Sequence, residues 1–216
     1  MNAVSDVDLS NEAFPFNSLQ HFHIGHAPVF AQRLSYTGEL GWEIFITPDF
    51  AEHVFEVLCA AGEPLDLQLV GGEALNALRI EKGFLHWGHD MSYTEAPHQV
   101  GLGFVCKPDK AIPFIGRDAF VARKAAGEGP FLCHIKLQEA GPLLHHNEPV
   151  LKDGHVVGYV ASGGYAYQQG AAIGTCFINA DNSASISNGT YAVVVEGQVV
   201  SATLSRQPIS RPQTGA

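Results

Sequence analysis

Histidine is the residue type in this sequence best suited to bind a metal, and it occurs in three groups. The groups are His21-x-His23-x-x-His26, His86-x-x-His89-Asp90 and His145-His146. A zinc site needs three or four convergent ligands, and neither H-E-x-x-H nor C-x-x-C accompanies these histidines. The sequence therefore predicts no metal site, and we interpret the histidines as surface residues.

Other patterns that carry chemistry are missing from the sequence. It contains no G-x-S-x-G nucleophile elbow, no Walker loop and no G-x-G-x-x-G after a strand, so it predicts neither a hydrolase nor a dinucleotide-binding site for FAD. The four cysteines are widely spaced, which is typical of reduced thiols. They are Cys59, Cys106, Cys133 and Cys176.

Two carboxylates and a tyrosine lie close together between residues 36 and 44. The runs Val29–Tyr36 and Trp42–Ile46 read as strands, and the two glycines between them favour a hairpin. By pattern alone, Glu43 is a solvent-facing strand residue, Tyr36 packs on a sheet and Glu39 belongs to a turn.

The elements around this hairpin are predicted from periodicity. Helical spacing and flanking glycines indicate helices, whereas a stretch rich in aromatic and histidine residues indicates a long binding loop. The predictions are helices at Phe50–Ala61, Gly72–Gly83 and Gly116–Ala126, a loop from Phe84 to Pro97 and a strand at Val100–Cys106.

The composition changes at Gly127-Glu128-Gly129-Pro130, and short strand-like runs follow. We predict an α+β fold with a first domain at 1–128, a small antiparallel β-barrel at 129–208 and a frayed tail that includes 209–216. The predicted strands are Leu132–Leu137, Val156–Ala161, Ala172–Ile178, Tyr191–Val195 and Val199–Leu204. The predicted turn pairs between them are Asp153-Gly154, Gly163-Gly164, Asn188-Gly189 and Glu196-Gly197.

Composition narrows the functional classes. The formal charge of −10, from 22 acidic and 12 basic residues, disfavours nucleic-acid binding. No apolar run reaches the roughly 20 residues of a membrane span, and the first residues lack the features of a signal peptide. With 46% apolar and 16% charged residues, the chain is expected to be globular, and we predict a cytoplasmic location.

The run Tyr36-Thr37-Gly38-Glu39-Leu40-Gly41-Trp42-Glu43-Ile44 resembles the Y-T-G-E-x-G-x-E segment of glycine-cleavage T-proteins, which are tetrahydrofolate-dependent aminomethyltransferases. Three further segments are similar in order and spacing. They are Asn76–Gly83, Trp87-Gly88-His89-Asp90 and Phe114–Ala119. The N-A-L-R-I-E-K form of the first of these looks most like the folate module of dimethylglycine and sarcosine dehydrogenases.

The resemblance implies a folate site in this chain. It places Glu43 at the position that holds the pterin and Tyr36 at a tyrosine of the same pocket. A carboxylate can accept two N–H groups from the 2-amino-pyrimidinone edge. Glu39 is a minor candidate, and His89 corresponds to a polar loop residue near the pocket. Arg79 matches a family arginine, but a structural pair between an arginine and a glutamate of the same helix would also explain an arginine at this position.

Two departures from the family pattern affect this expectation. The first half of the family's folate domain, with an aspartate that acts at the folate nitrogen, precedes the segments that this sequence resembles. Asp6 and Asp8 match a later family segment, so neither is nominated as that aspartate. We therefore name no catalytic residue. The second departure is Leu75, which stands where T-proteins carry a folate-binding arginine, and leucine cannot donate a guanidinium's hydrogen bonds.

Two hypotheses follow from the resemblance. The first is a one-carbon transfer module that binds tetrahydrofolate and needs a second polypeptide, either an FAD-containing oxidoreductase or the missing N-terminal half. The alternative is a non-catalytic remnant or interaction module, which the missing half and Leu75 favour. Whether this fragment is an enzyme by itself stays open.

Overall fold

The computed structural model describes residues 1–127 and 129–210, which divide into two compact units. The first unit comprises Met1–Leu75, and the second begins at Asn76. The predicted domain boundary falls at Glu128, outside the described residues, and stays a prediction. The mixed α+β fold is confirmed by the helices and the two sheets.

The first unit contains a three-stranded antiparallel sheet and one helix. Strands β1 (Leu19–Ile24), β2 (Ala27–Gln32) and β3 (Glu43–Phe45) are adjacent in that order, so β1 and β3 are the edges. A 3-10 turn (Pro48–Phe50) leads into α1 (Ala51–Gly62). The hairpin and the helix predicted from the sequence are therefore confirmed.

One face of this sheet carries the core of the first unit. Val29 and Ala31 of β2 are buried there, while Phe30 and Gln32 lie on the other face, as the two-residue period of a strand requires. The prediction that β2 continues to Tyr36 was wrong. The strand ends at Gln32, and the Leu34 N–H turns back to donate to the Gln32 carbonyl oxygen at 2.9 Å.

The second unit is built on a closed antiparallel barrel of six strands, as the sequence predicted. Around the barrel the order is β4-β7-β6-β5-β8-β9. The strands are β4 (Phe131–Leu137), β5 (Pro149–Lys152), β6 (His155–Ala166), β7 (Ala171–Ile178), β8 (Tyr191–Val195) and β9 (Gln198–Ser205). The helices are α2 (Gly72–Glu81), whose second half belongs to this unit, and α3 (Arg117–Ala126).

Two predicted turn pairs form hairpin turns, but Gly163-Gly164 does not. Asp153-Gly154 and Glu196-Gly197 have positive φ at both residues, as a type I′ hairpin turn requires. Gly163 and Gly164 lie inside β6 instead, where Gly163 pairs with Gly174 of β7. Glycine is needed at Gly163 because a Cβ there would overlap the Leu144 carbonyl group, which crosses this strand closely.

One predicted strand was wrong, and one observed strand was not predicted. The predicted strand Val100–Cys106 is a turn and a short 3-10 helix, because Gly101 has φ +78° and the Leu102 N–H bonds back to the Pro97 carbonyl. Strand β5 was missed altogether. The predicted helices at Gly72–Gly83 and Gly116–Ala126 are confirmed within a few residues.

The C-terminal segment was predicted to be frayed from residue 209 onward, and for Ile209 and Ser210 that was wrong. Ile209 packs against Ile80, Ala166 and Ile173, and the Ser210 N–H donates to the Glu81 carbonyl oxygen. Residues 211–216 lie outside the described residues. None of the helices found in residues 1–127 and 129–210 has the length and hydropathy needed to cross a bilayer.

Candidate functional site

Glu43 is exposed at the first position of β3, on the face of the sheet that points away from the core. Ile44, the next residue, packs toward the core, so the Glu43 side chain lies on the opposite face of the sheet. Strand β3 is also an edge strand. Within the part of the chain that the structure describes, this carboxylate has no hydrogen-bonding or ionic partner. It is thus free to accept hydrogen bonds from a ligand.

Aromatic rings continue from strand to strand across the same face. Phe30 and Phe45 are cross-strand neighbours, and their rings stack with centroids 4.6 Å apart and planes 5° apart. His21 is opposite Phe30 on the next strand, with ring centroids 5.6 Å apart. Phe45, at the edge, remains 43% exposed. An acidic group and a flat apolar surface therefore lie on one face.

Tyr36 and Glu39 are half-buried in the loop between β2 and β3. A turn at Ser35 shapes this loop: the Gly38 N–H donates to the Ser35 carbonyl oxygen at 3.3 Å, the Thr37 N–H donates to the Ser35 Oγ, and Gly38 has φ +72°. Gly41 passes so close to Ser35 that a Cβ would be 2.8 Å from the Ser35 Cβ. The glycines of the motif thus give the loop the tight path that positions Tyr36 and Glu39 before Glu43.

Arg79 lies in the second unit, at the centre of a buried polar network. Its side chain is 2% exposed, and its guanidinium forms a salt bridge with Asp90, which is fully buried. Arg79 also donates to the Asn76 side chain at 2.9 Å and to the Phe84 carbonyl oxygen at 3.2 Å. The Asp90 carboxylate accepts further hydrogen bonds from the Thr175 hydroxyl and from the His86 N–H.

This network joins three parts of the second unit. It connects α2 with the loop after it through Arg79 and Asp90, and it connects that loop with barrel strand β7 through Thr175. Asn76 adds a hydrogen bond to the Gly163 carbonyl oxygen on β6. These contacts favour a positioning role for Arg79, whose direct contact with folate stays a prediction.

His89 is exposed in the same loop, near two other histidines. Its ring centroid is 4.7 Å from that of His86 and 6.5 Å from that of His146. Among the described residues, no three His, Cys, Asp or Glu side chains are arranged to hold a metal ion.

The five candidate residues divide between the units, with Glu43, Tyr36 and Glu39 in the first and Arg79 and His89 in the second.

His134 is a buried titratable residue that sequence reasoning missed. It is on the outer face of β4, 7% exposed, and a Cβ on Gly83 would come within 3.1 Å of its ring. Its Nδ1 has no hydrogen-bonding partner among the described residues. Burial lowers the pKa of His134 to about 4, against the raising effect of the Asp90 charge.

We expect His134 to make the protein less stable in acid. The pKa of His134 in the folded protein lies below the ordinary value of 6.5. The part of the stability that depends on a neutral His134 is therefore complete above pH 6.5 and is lost as the pH falls toward 4. The difference is about 2–3 kcal/mol in the free energy of unfolding between pH 7.5 and 4.5. Urea denaturation of the wild type and of His134→Gln at both pH values measures it, and an equal loss in the variant would contradict the assignment.

Phe30, Phe45, Asp90 and Thr175 were also not selected as functional residues from the sequence. The alternation of Glu43 and Phe45 along β3 was a usable signal, because residues two apart in a strand share a face. Asp90 and Thr175 are 85 positions apart and carried no such signal.

Comparisons with known proteins give consistent matches over most of the chain. Residues 1–110 match the family model for the GCVT N-terminal domain, and residues 131–210 match that for the glycine cleavage T-protein C-terminal barrel domain. The chain is 32% identical to a 4-methylaminobutanoate oxidase (formaldehyde-forming) of Paenarthrobacter nicotinovorans, over 99% of this chain and 26% of the oxidase. It is 34% identical to mitochondrial sarcosine dehydrogenase of Mus musculus, over 88% of this chain and 21% of the dehydrogenase.

A solved structure shares the fold. The aminomethyltransferase T of the glycine cleavage system from Bartonella henselae superposes with a TM-score of 0.75 at 21% identity, covering 89% of this chain and 52% of that one. The chain therefore spans about a quarter or less of these two oxidoreductase relatives and about half of the aminomethyltransferase.

Proposed function

Because the chain belongs to the glycine cleavage T-protein family, we propose that it is part of a one-carbon transfer enzyme and binds tetrahydrofolate as the carbon acceptor. The observation that carries this proposal is the exposed Glu43 carboxylate, which has no partner among the described residues and lies on a sheet face that also presents aromatic rings. The 2-amino-pyrimidinone edge of a pterin offers two N–H donors, which one carboxylate can accept together.

The residues of this chain would act by binding and orientation. Two charge-assisted hydrogen bonds to Glu43 fix the direction of the pterin ring, and Tyr36 lines the same pocket with an aromatic face and a hydroxyl. Positioning of this kind lowers the entropic part of the barrier for a reaction between two bound groups. Arg79, through Asp90, holds the loop that carries His89.

The reaction proposed for the whole enzyme is the transfer of a methylene carbon. A partner flavoprotein would oxidise an N-methylated glycine to its iminium ion. The two folate nitrogens then bond to the iminium carbon, its bond to the amine nitrogen breaks, the amine leaves with one of the two folate protons, and the other proton is released. The oxidising FAD domain and the acidic group at the folate nitrogen would come from the rest of that enzyme or from a second polypeptide.

Titration calorimetry of the purified chain with tetrahydrofolate tests this proposal. We expect binding by the wild type and an affinity about 10- to 100-fold lower for Glu43→Gln, because the variant loses charge-assisted hydrogen bonds but keeps the side chain's shape. Glu56→Gln, an exposed change on α1, is the matched control and should bind as the wild type does.

Two results would count against the proposal. Absence of tetrahydrofolate binding by the wild type would favour the alternative, a non-catalytic interaction module. Unchanged affinity in Glu43→Gln would show that any folate bound does not use this carboxylate.

A further inference from the structure

The aromatic rings on the outer face of the three-stranded sheet form a ladder with one open end. The ladder consists of His21 on β1, Phe30 on β2 and Phe45 on β3, each opposite the next in the strand register. Phe30 has a ring neighbour on both sides, whereas the ring of Phe45 stacks, among the aromatic rings of the described residues, on Phe30 alone. One face of the Phe45 ring is therefore unstacked.

The open end of the ladder is at the edge of the sheet. Because β3 has β2 as its neighbour on one side and is an edge strand on the other, the next stacking position is just outside the sheet. The Phe30 and Phe45 planes are parallel within 5° at a centroid distance of 4.6 Å, close to the spacing of about 4.8 Å between neighbouring strands. A flat ligand ring can occupy the next position at a similar spacing.

Glu43 lies beside that position. It is two residues from Phe45 along β3 and shares its face, which puts the two side chains about 6.7 Å apart along the strand. A bicyclic heteroaromatic ring bridges this span, so one ring system can stack on Phe45 and present its hydrogen-bond donors to Glu43. Pairing an aromatic face with a carboxylate selects rings that are flat and carry adjacent N–H groups.

We propose that Phe45 is the stacking platform that sets the specificity of this site for the pteridine ring, with Glu43 reading the ring's 2-amino-pyrimidinone edge. This inference rests on the proposed tetrahydrofolate binding and assigns a residue to it. Phe30 acts as a positioning residue, because its stacked ring holds Phe45 parallel to the plane that the ligand must adopt.

The test compares tetrahydrofolate binding by variants of Phe45, with thermal melting of each variant to check folding. We expect Phe45→Ala to bind about tenfold more weakly, the effect of losing one aromatic stack, and Phe45→Tyr to retain nearly full affinity. Phe55→Ala removes a phenylalanine that is 53% exposed on α1, outside the sheet, and should bind as the wild type does.

A double-variant cycle separates stacking from a general structural effect. If one ligand ring contacts both residues, the losses of affinity in Phe45→Ala and Glu43→Gln are coupled. The fold-loss of affinity in the double variant is then smaller than the product of the fold-losses in the two single variants. Wild-type affinity in Phe45→Ala, or fully independent losses, would overturn the platform and leave the proposed function intact. A wild type that does not bind tetrahydrofolate would overturn both.

Guanine presents the same donor edge and is the competing ligand. Titration with guanosine monophosphate therefore accompanies the tetrahydrofolate series. Weaker binding of the nucleotide supports the pteridine assignment, whereas tighter binding of the nucleotide with the same dependence on Phe45 would overturn it in favour of a purine site.

Discussion

Replacement of Asp90 by asparagine is expected to lower the free energy of unfolding by about 3–5 kcal/mol. Asparagine has nearly the same shape, but it leaves the Arg79 guanidinium buried without its counter-charge, and the hydrogen bonds from Thr175 and His86 lose their ionised acceptor. Urea denaturation followed by circular dichroism measures the change. The loop that carries His89 should also become more susceptible to proteolysis.

Asp109→Asn is the matched control, because Asp109 is exposed and the same chemical change there should alter stability by less than about 0.5 kcal/mol. The double variant Arg79→Gln/Asp90→Asn should lose less stability than the two single changes added together, since it leaves no unpaired buried charge. A loss below 1 kcal/mol in Asp90→Asn would contradict a structural role for this salt bridge.

Replacement of Gly163 by alanine is expected to cost about 3 kcal/mol or more in the free energy of unfolding. A methyl group at this position of β6 would overlap the Leu144 carbonyl group and lie 2.6 Å from the His145 nitrogen, so backbone must move. Leu144 is 2% exposed and belongs to the barrel core, and its displacement would open that core. Thermal and urea denaturation measure the loss.

Gly141→Ala provides the control for this prediction. Apart from its two chain neighbours, no described residue has a heavy atom within 4 Å of a Cβ built on Gly141, and the Gly141 φ is not in the left-handed region, so alanine should be tolerated there. Gly163→Ala with the stability of the wild type would mean that the Leu144 segment does not cross β6 as closely as the structure has it.

Helix α2 shows that helical spacing can identify a helix without identifying the residues that it buries. The sequence predicted the helix at Gly72–Gly83, but Leu75, one of the apolar residues at helical spacing, is 40% exposed. The residues buried on α2 are Ala77, Arg79, Ile80 and Glu81. Arg79 can be buried because it has partners outside the helix. Asp90 and Thr175 are too distant from Arg79 in sequence for helical periodicity to indicate them.

The barrel was predictable because its signals are local. Left-handed turn pairs such as Asp153-Gly154 and Glu196-Gly197 separate strands of alternating or apolar residues. Gly163-Gly164 carries a similar signal for a different reason, since glycine there makes room for the Leu144 segment rather than reversing the chain. Only the packing of that segment distinguishes a turn glycine from one that permits a close crossing.

By itself, the sequence determined the family, the α+β fold with its C-terminal antiparallel barrel, and the nomination of Glu43 in a hairpin, because short motifs and turn chemistry are encoded in neighbouring residues. Only the tertiary structure decided that Arg79 is buried against Asp90 and that Phe45 ends an aromatic ladder beside Glu43. The physical reason is that burial of charge and stacking across strands depend on which distant residues meet, and residue spacing does not specify that.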